Sequence, residues 1–286
     1  MNRSSLLAAV VGVMLGVGIA SGQAPAFDAA SIKPNREGGA SGGIRPLPNG
    51  RLNATNVTLE ELLRRAYGLL QSQVIGGPAW MRSDRFDVVA TAGAPPPRGV
   101  DDVLLMLRAL LQERFHLDAR LEKRELPAYV LVHAQADRTL GPGLRPSAVD
   151  CAKNAAALTP NTATLDAEGW PPCGIAWVLT TANRSSDGGV RAGSLMKQAG
   201  VPISEIATRM QNFAGRPVVD ATGLTGLFDV TYEFENVSGT TPPAAAGAEL
   251  PDLFTAIREQ LGLRLDARRT AVDVLVIRSA EGLVEN

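Results

Sequence analysis

Two short charged stretches are the first places in this sequence where side chains could do chemistry. Residues 115–120 read F-H-L-D-A-R, and residues 263–268 read L-R-L-D-A-R. Alternate residues of a strand share a face, so each stretch would present three polar side chains on one side: His116, Asp118 and Arg120, and then Arg264, Asp266 and Arg268. This face could bind an ion or a partner. The alternative is a solvated strand face with cross-strand charge pairs.

Arg264 stands where the first stretch has His116, so we expect no acid–base role common to both. The other histidine, His133, follows an apolar strand pattern and is interpreted as a packed residue.

Two glycine-rich loops each carry an arginine. Residues 42–45 read G-G-I-R, and residues 188–191 read G-G-V-R. Backbone N–H groups of such loops can bind an anion, with Arg45 or Arg191 beside it. The pattern has low specificity, and the alternative is a turn that needs the positive φ of glycine before a strand.

No established catalytic motif occurs in the sequence. It contains no G-x-S-x-G, H-E-x-x-H, P-loop or dinucleotide-binding fingerprint. A hydrolase with paired carboxylates stays open, because carboxylates that meet only in space leave no signature in the sequence. Because the established motifs are absent, we expect no enzymatic activity, no cofactor and no metal site.

The charged stretches and the loops belong to a longer internal repeat. Five blocks of the first half recur in the same order in the second half: 42–45 with 188–191, 57–62 with 201–206, 86–88 with 228–230, 115–120 with 263–268, and 129–132 with 273–276. The pattern predicts a tandem duplication. One unit used twice favours a binding or assembly role over a single asymmetric active site.

Each copy is predicted to be a small α+β module of two helices on a mixed sheet, in the order α-β-β-α-β-β, with one more strand before the first helix. Thr58 and Glu61 form a capping-box pattern at the first helix, and Gly68 is its expected end. Its counterpart begins near Pro202 and stops at Gly215. Each copy should close with a hairpin, residues 115–122 with 128–134 and residues 263–269 with 272–278.

Length and charge agree with two such modules. The 286 residues suit roughly two domains. The predicted boundaries are a signal peptide (1–26), a first module (27–134), a linker (135–186), a second module (187–280) and a tail (281–286). A net charge of −1 and 5% aromatic residues argue against nucleic-acid binding.

The N-terminus predicts export. Arg3 precedes an apolar run at residues 6–20, and residues 24–26 read A-P-A, which is a cleavage pattern of secretory signal peptides. We expect cleavage after Ala26 and a periplasmic or extracellular protein without a membrane span. The alternative is an uncleaved N-terminal anchor.

Two cysteines, Cys151 and Cys173, lie in the predicted linker. In an oxidising compartment an even number of cysteines indicates a disulfide. The alternative, a metal pair, is weakened because the chain has only two histidines and neither is near them in sequence.

Several motifs resemble a known family. Residues 27–35 (F-D-A-A-S-I-K-P-N), 76–80 (G-G-P-A-W) and 216–226 (R-P-V-V-D-A-T-G-L-T-G) resemble the exported "soil-associated" family that is expanded in acidobacteria and whose function is uncharacterised. The resemblance covers essentially the whole chain after the predicted signal peptide.

The repeat unit is also similar to the short N-terminal domain of secretins and TonB-dependent transducers, on the motifs at residues 201–206, 218–220, 226–230, 261–263 and 274–277. This similarity implies an α+β module that docks other envelope proteins, often by strand addition. The first copy departs from it at residues 76–78, G-G-P, where the second has D-A-T.

Together these observations predict an exported, non-enzymatic pair of modules that binds a protein or glycan partner at the envelope. Two alternatives stay open: a small-ligand sensor or carrier with a cleft between the domains, and a carboxylate-dependent hydrolase.

Overall fold

The computed structural model describes residues 25–38, 42–47, 49–96, 100–149, 165–184, 190–235 and 250–283. The chain is α+β, as predicted. Its helices are α1 (Leu59–Tyr67), α2 (Val100–Arg114), α3 (Ile203–Ala214) and α4 (Leu253–Leu261). Its strands are β1 (Ala29–Pro34), β2 (Gly43–Pro46), β3 (Arg51–Thr58), β4 (Val74–Gly76), β5 (Arg85–Thr91), β6 (Asp118–His133), β7 (Leu144–Pro146), β8 (Gly174–Arg184), β9 (Val190–Val201), β10 (Val218–Asp220), β11 (Phe228–Glu235) and β12 (Leu263–Ser279).

The two halves of the chain have the same order of elements. Three strands, a helix, two strands, a helix and one long strand follow one another in β1 to β6, and again in β7 to β12. Each half also builds an outer sheet with the same strand order, β1-β5-β3-β2 in the first and β7-β11-β9-β8 in the second. These matches define equivalent positions in the two halves. Their descent from one duplicated module stays a prediction.

A central sheet joins the halves, with strand order β10-β6-β12-β4. The long strands β6 and β12 run antiparallel and pair along nearly their whole length, from Leu263 opposite His133 to Ser279 opposite Asp118. We call this pair the ribbon. The short strand of each half adds in parallel to the long strand of the other half, β4 to β12 and β10 to β6.

The predicted closing hairpins are wrong. Residues 123–127 read K-R-E-L-P and residues 269–272 read R-T-A-V, so neither segment offers the Asn-Gly or Asp-Gly pair that a tight reversal favours. Each segment continues as one straight strand instead. The partner that a hairpin would have supplied locally comes from the other half of the chain.

The segment predicted to be a linker contributes to the fold. It supplies β7 and β8, which pair with β11 and β9 and form the two edges of the second outer sheet. Cys173 is buried at the start of β8. Its predicted partner Cys151 lies outside the described residues, so the disulfide stays a prediction.

Two large apolar cores result, and each contains side chains from both halves. The first core packs α1 and α2 against β3 and β5, and it includes Leu275 and Ile277 of β12. The second core packs α3 and α4 against β11, and it includes Leu131 of β6. The ribbon thus contributes one end to each core.

The predicted ends of α1 and α3 are confirmed. The Thr58 hydroxyl accepts from the Glu61 N–H at 3.1 Å, and the Glu61 carboxylate accepts from the Thr58 N–H at 2.7 Å. Gly68, Gly215 and Gly262 each follow a helix in the left-handed conformation. In that region a residue with a Cβ would be strained.

The two faces of the ribbon contribute to different apolar clusters. The odd-numbered Leu131 and Leu275 belong to the two large cores. The even-numbered Ala128, Val272 and Val274 form a third, small cluster. Because side chains alternate between the faces of a strand, this cluster lies on the opposite face of the ribbon.

Candidate functional site

The strand pairing corrects the alignment of the two charged stretches. The first residues of β4 and β10 pair with Leu275 and Tyr129 respectively, which places Leu275 and Tyr129 at equivalent positions. Counting back along each strand, Asp118 is then equivalent to Arg264. The match of His116 with Arg264 is therefore wrong by two residues. A shift of two keeps every side chain on its own face, so the alternation pattern alone could not detect the error.

His116 lies outside the ribbon. It sits just after α2 with φ of 42° and is equivalent to Gly262 (φ 69°), which ends α4. Its exposed ring lies 3.3 Å from the Glu281 carboxylate, measured from Nδ1. The structure therefore assigns His116 to a helix end and separates it from the polar residues of the strands.

In the first charged stretch, the structure pairs the strand residues with their neighbours. Asp118 lies 3.6 Å from Arg278, and Arg120 lies 2.5 Å from Glu122. Arg124 binds the second oxygen of Glu122 at 3.1 Å. Hydrogen bonds from Arg124 and Arg120 lower the pKa of Glu122 below its ordinary value.

The second stretch forms a matching group. Arg264 and Arg268 each lie 2.8 Å from Asp266, and their hydrogen bonds lower the pKa of that carboxyl. Arg264 also donates to the main-chain oxygen of His133 at 3.0 Å. Carboxylates held ionised in this way do not suit a general acid, which must carry a proton at working pH. Exposed pairs of this kind add little stability, because water and salt screen the charges.

The two glycine-rich loops are not equivalent. Residues 43–46 form β2, whereas Val190 and Arg191 begin β9, which corresponds to β3 by sheet order. Gly188 and Gly189 lie outside the described residues, and so does the side-chain environment of Arg191. Arg45 is exposed.

Gly42 is required for a reason other than a turn. Neither Gly42 nor Gly43 has a positive φ, so the turn interpretation is wrong for this loop. A Cβ on Gly42 would lie 2.3 Å from the main-chain oxygen of Asn56. The residue allows a close approach of two backbones.

Two aspartates with a clear structural role were missed in the sequence. Asp87 accepts from the Asn56 N–H at 2.8 Å, and Asp229 accepts from the Gly200 N–H at 3.1 Å. Asn56 and Gly200 both have positive φ and lie at register shifts in the outer sheets. Each aspartate thus holds a β-bulge. The F-D-V block that occurs in both halves contains these two aspartates, but from the sequence this block indicated only the internal repeat.

The central sheet has two outer edges that are largely open within the described residues. The β10 strand covers β6 only at residues 129–131, and β4 covers β12 only at residues 275–277. The Tyr129 N–H donates to Pro217, and the Leu131 carbonyl accepts from Ala221. Odd-numbered residues of β6 therefore point their backbone groups away from β12. We call residues 119–125 the β6 edge.

The β12 edge, residues 265–271, is the equivalent segment of the other strand. The two edges differ in one side chain, because Leu121 at the β6 edge is equivalent to Ala267. Leu121 pairs across the ribbon with the buried Leu275. It is one of three large apolar residues that are exposed in the described chain; the other two are Val89 and Phe254.

A shallow cavity of about 370 Å³ lies beside the end of α4, against the loop that follows β6. Its polar lining includes Gln135, Thr139, Arg258 and Glu259. The lining holds one carboxylate, that of Glu259, which lies 3.8 Å from Arg258. Paired carboxylates, as glycoside hydrolysis requires, are therefore not present in it.

In the part of the chain that is described, no three His, Cys, Asp or Glu side chains come together as metal ligands would. A helix that is both long and apolar enough to span a bilayer is likewise not found there.

Comparison with known proteins identifies a family. Neither a curated protein nor a solved structure matches the chain. The model of one family, described as a protein of unknown function (DUF3738), matches residues 60–280. This range begins in α1 and includes the whole ribbon. The chain therefore belongs to the uncharacterised DUF3738 family.

Proposed function

We propose that this chain is an exported, non-enzymatic docking protein of the cell envelope, and that it binds an extended segment of a partner protein along the ribbon. The observation that carries the proposal is the open edge of β6. Export rests on the N-terminal sequence pattern, since residues 1–24 lie outside the described residues.

The chemistry of an open edge favours a polypeptide partner over a glycan. Its outward N–H and C=O groups are spaced to match those of another extended chain, and an added strand satisfies both sets at once. A glycan has no regular ladder of donors and acceptors with this spacing. Docking by strand addition is also what the similarity to secretin-type N-terminal domains implies.

Of the two edges, the β6 edge has the stronger features for binding. Leu121 offers an exposed apolar side chain beside the outward backbone groups, where the β12 edge has only Ala267. Within the β6 edge the Glu125 carbonyl accepts from the Arg269 side chain at 2.9 Å, so this carbonyl is already bound. The exposed Leu121 is therefore the feature that distinguishes the β6 edge from the β12 edge.

The β6 edge also carries features that limit unspecific pairing. Lys123 and Glu125 place charges along it, and Pro127 removes one backbone donor at its end. Natural edge strands use such residues to prevent aggregation. A partner must therefore fit a short segment with one apolar position.

The test compares one proline substitution at each edge. Leu121→Pro removes an outward N–H and the apolar side chain without breaking a bond to β12, and Ala267→Pro does the same to the outward N–H at the equivalent position. We expect a partner captured from an envelope extract by the mature protein to be lost with L121P and retained with A267P. Circular dichroism and thermal unfolding would establish that both variants fold.

Equal recovery of the partner by both variants would contradict a role for the β6 edge, and no specific capture by the unaltered protein would contradict docking itself. The two alternatives, a ligand carrier and a carboxylate hydrolase, have no specific observation in their favour. The cavity beside α4 supplies one carboxylate only.

A further inference from the structure

The second core contains polar atoms without partners. Ser194 and Gln198 are fully buried and Tyr232 is 1% exposed. The Ser194 hydroxyl, both amide atoms of Gln198 and the Tyr232 hydroxyl have no hydrogen-bond partner among the described residues. A buried polar group left in this condition is destabilising, so each such group requires an explanation.

All three side chains project from one face of the second outer sheet. Ser194, Met196 and Gln198 alternate along β9 and pair with Phe234, Tyr232 and Val230 of β11, respectively. Since paired residues share a face, all six point toward the second core, where Met196 and the β11 residues pack. Ser194 and Gln198 flank Met196, so the unpartnered atoms are spread along the strand pair.

The first half has no equivalent polar set. By the pairing of β3 with β5, the positions of Gln198 and Tyr232 are taken by Ala54 and Ala90. Both alanines are buried in an apolar core. The polar groups are therefore a property of the second half, and the fold itself does not require them.

The other buried glutamines among the described residues are satisfied. Gln73 donates to the Asp273 carbonyl at 2.8 Å and accepts from the Leu70 N–H at 2.9 Å. Gln211 donates to the Gly68 carbonyl at 2.7 Å. The Gln198 amide is the exception, with both a donor and an acceptor unused.

The unused groups are uncharged, which restricts the ligand. Burial raises the pKa of Tyr232, with Arg209 acting in the opposite sense, so the hydroxyl keeps its proton at neutral pH. An amide and two hydroxyls offer both donors and acceptors and no net charge. A small neutral molecule that can both donate and accept suits this set, and an ion does not.

We propose that the second core holds ordered internal water, with one molecule bound at the Gln198 amide and another at the Tyr232 hydroxyl. Buried waters in proteins typically make about three hydrogen bonds to groups of this kind. The second core would then contain internal water, whereas the first core would not.

Removal of the polar atoms from one side chain at a time tests this proposal by the sign of the change in stability. Tyr232→Phe and Gln198→Met keep the shape of the side chain. If water satisfies the polar atoms, we expect each variant to raise the unfolding equilibrium constant roughly fivefold, because a net favourable hydrogen bond is lost. Tyr129→Phe, at a half-buried tyrosine outside this set, is the control and should change it by less than about twofold.

A direct readout accompanies the stability measurement. A crystal structure of the mature protein at about 1.5 Å should show density within about 3.2 Å of the Gln198 amide, and this density should disappear in Gln198→Met. Stabilisation by both substitutions, or a dry site in that crystal structure, would overturn the proposal. Density too large for water would point to a small neutral ligand and would also overturn it.

Discussion

Among single residues, the two aspartates that hold the bulges have the clearest role. Asp87 and Asp229 occupy equivalent positions and accept from equivalent backbone donors, whereas the residues around the ribbon differ in charge between the halves. Asp118 is equivalent to Arg264 and Arg120 to Asp266, so the charge is inverted at both positions. The repeated residues are therefore the structural ones.

Acidification should reveal the contribution of Asp87. Hydrogen bonds from the Asn35 side chain and then the Asn56 backbone lower its folded-state pKa. Its contribution to stability is thus complete above the pKa of the unfolded state, near 4, and is lost as pH falls through the lower folded-state value. Asp87→Asn should lower the melting temperature at pH 7 by about 2–4 °C.

The difference in melting temperature between Asp87→Asn and the unaltered protein should become smaller between pH 5 and the acid limit of folding. Thermal unfolding followed by circular dichroism measures this difference. Asp84→Asn, at an exposed aspartate that binds the Ser83 hydroxyl, is the control and should leave the melting temperature at pH 7 unchanged. If the difference in melting temperature between Asp87→Asn and the unaltered protein stayed constant on acidification, the hydrogen-bonded carboxylate would not be the cause of that difference.

The candidate site was only partly predictable at this scale. The sequence identified the charged residues of both stretches, and their alternation placed them on strand faces. The shift of two residues between the stretches could not be found, since L-D-A-R occurs in both at positions that share the same face. The unpartnered groups of the second core gave no signal, because Ser, Gln and Tyr are common in exposed strands as well.

At the scale of elements, local signals predicted the helices well. The capping box at Thr58 and the glycines after α1, α3 and α4 act within a few residues, so the sequence contains all the information that they need. The strands β6 and β12 differ in this respect. Their partners lie more than a hundred residues away, and a period-two pattern does not specify which strand pairs with which.

Two helix-ending glycines allow a matched comparison. Gly215 and Gly262 have φ of 72° and 69°. A Cβ on Gly215 meets nothing within 4 Å, whereas one on Gly262 would lie 2.6 Å from both the Gly141 nitrogen and the Thr139 oxygen. Gly215→Ala should cost about 1 kcal/mol for the left-handed conformation, and Gly262→Ala about 1–3 kcal/mol more for the close contact.

Chemical denaturation of the two variants measures the difference in the free energy of unfolding. Similar losses for both would mean that the loop before β7 moves aside easily, and that the close packing of Gly141 on α4 is not a constraint.

For the whole molecule, the exchange of strands between the halves determines stability. The first core is completed by Leu275 and Ile277, which belong to β12 in the second half. The second core includes Leu131, which comes from the first half. The α+β class was predictable from the alternation of patterns. The three-sheet arrangement was not, because the predicted boundary at residue 134 assumed that each module closes on itself.

The exchange predicts that the two halves unfold together. Leu275→Ala, a fully buried change in β12, should destabilise the protein by about 2–5 kcal/mol. Although the residue lies in the second half, hydrogen exchange in α1 and α2 should accelerate as much as exchange in α4. Leu131→Ala changes a residue of β6 that packs in the second core. Although this residue lies in the first half, its substitution should accelerate hydrogen exchange in α3 and α4.

Two separate unfolding transitions, or faster exchange confined to the second half, would contradict this coupling. Residues 27–134 expressed alone should likewise fail to give a protected first core, and a stable monomer of that fragment would count against it.

The position of β12 also has a consequence for biosynthesis. Because its final residues complete the core of the first half, that half cannot finish folding until residue 277 has been made, however early α1 and α2 form. Until β12 has been synthesised, the first core therefore stays open. For a protein that we propose to be exported, an N-terminal half unable to close during synthesis would remain in a form that a translocation channel can thread.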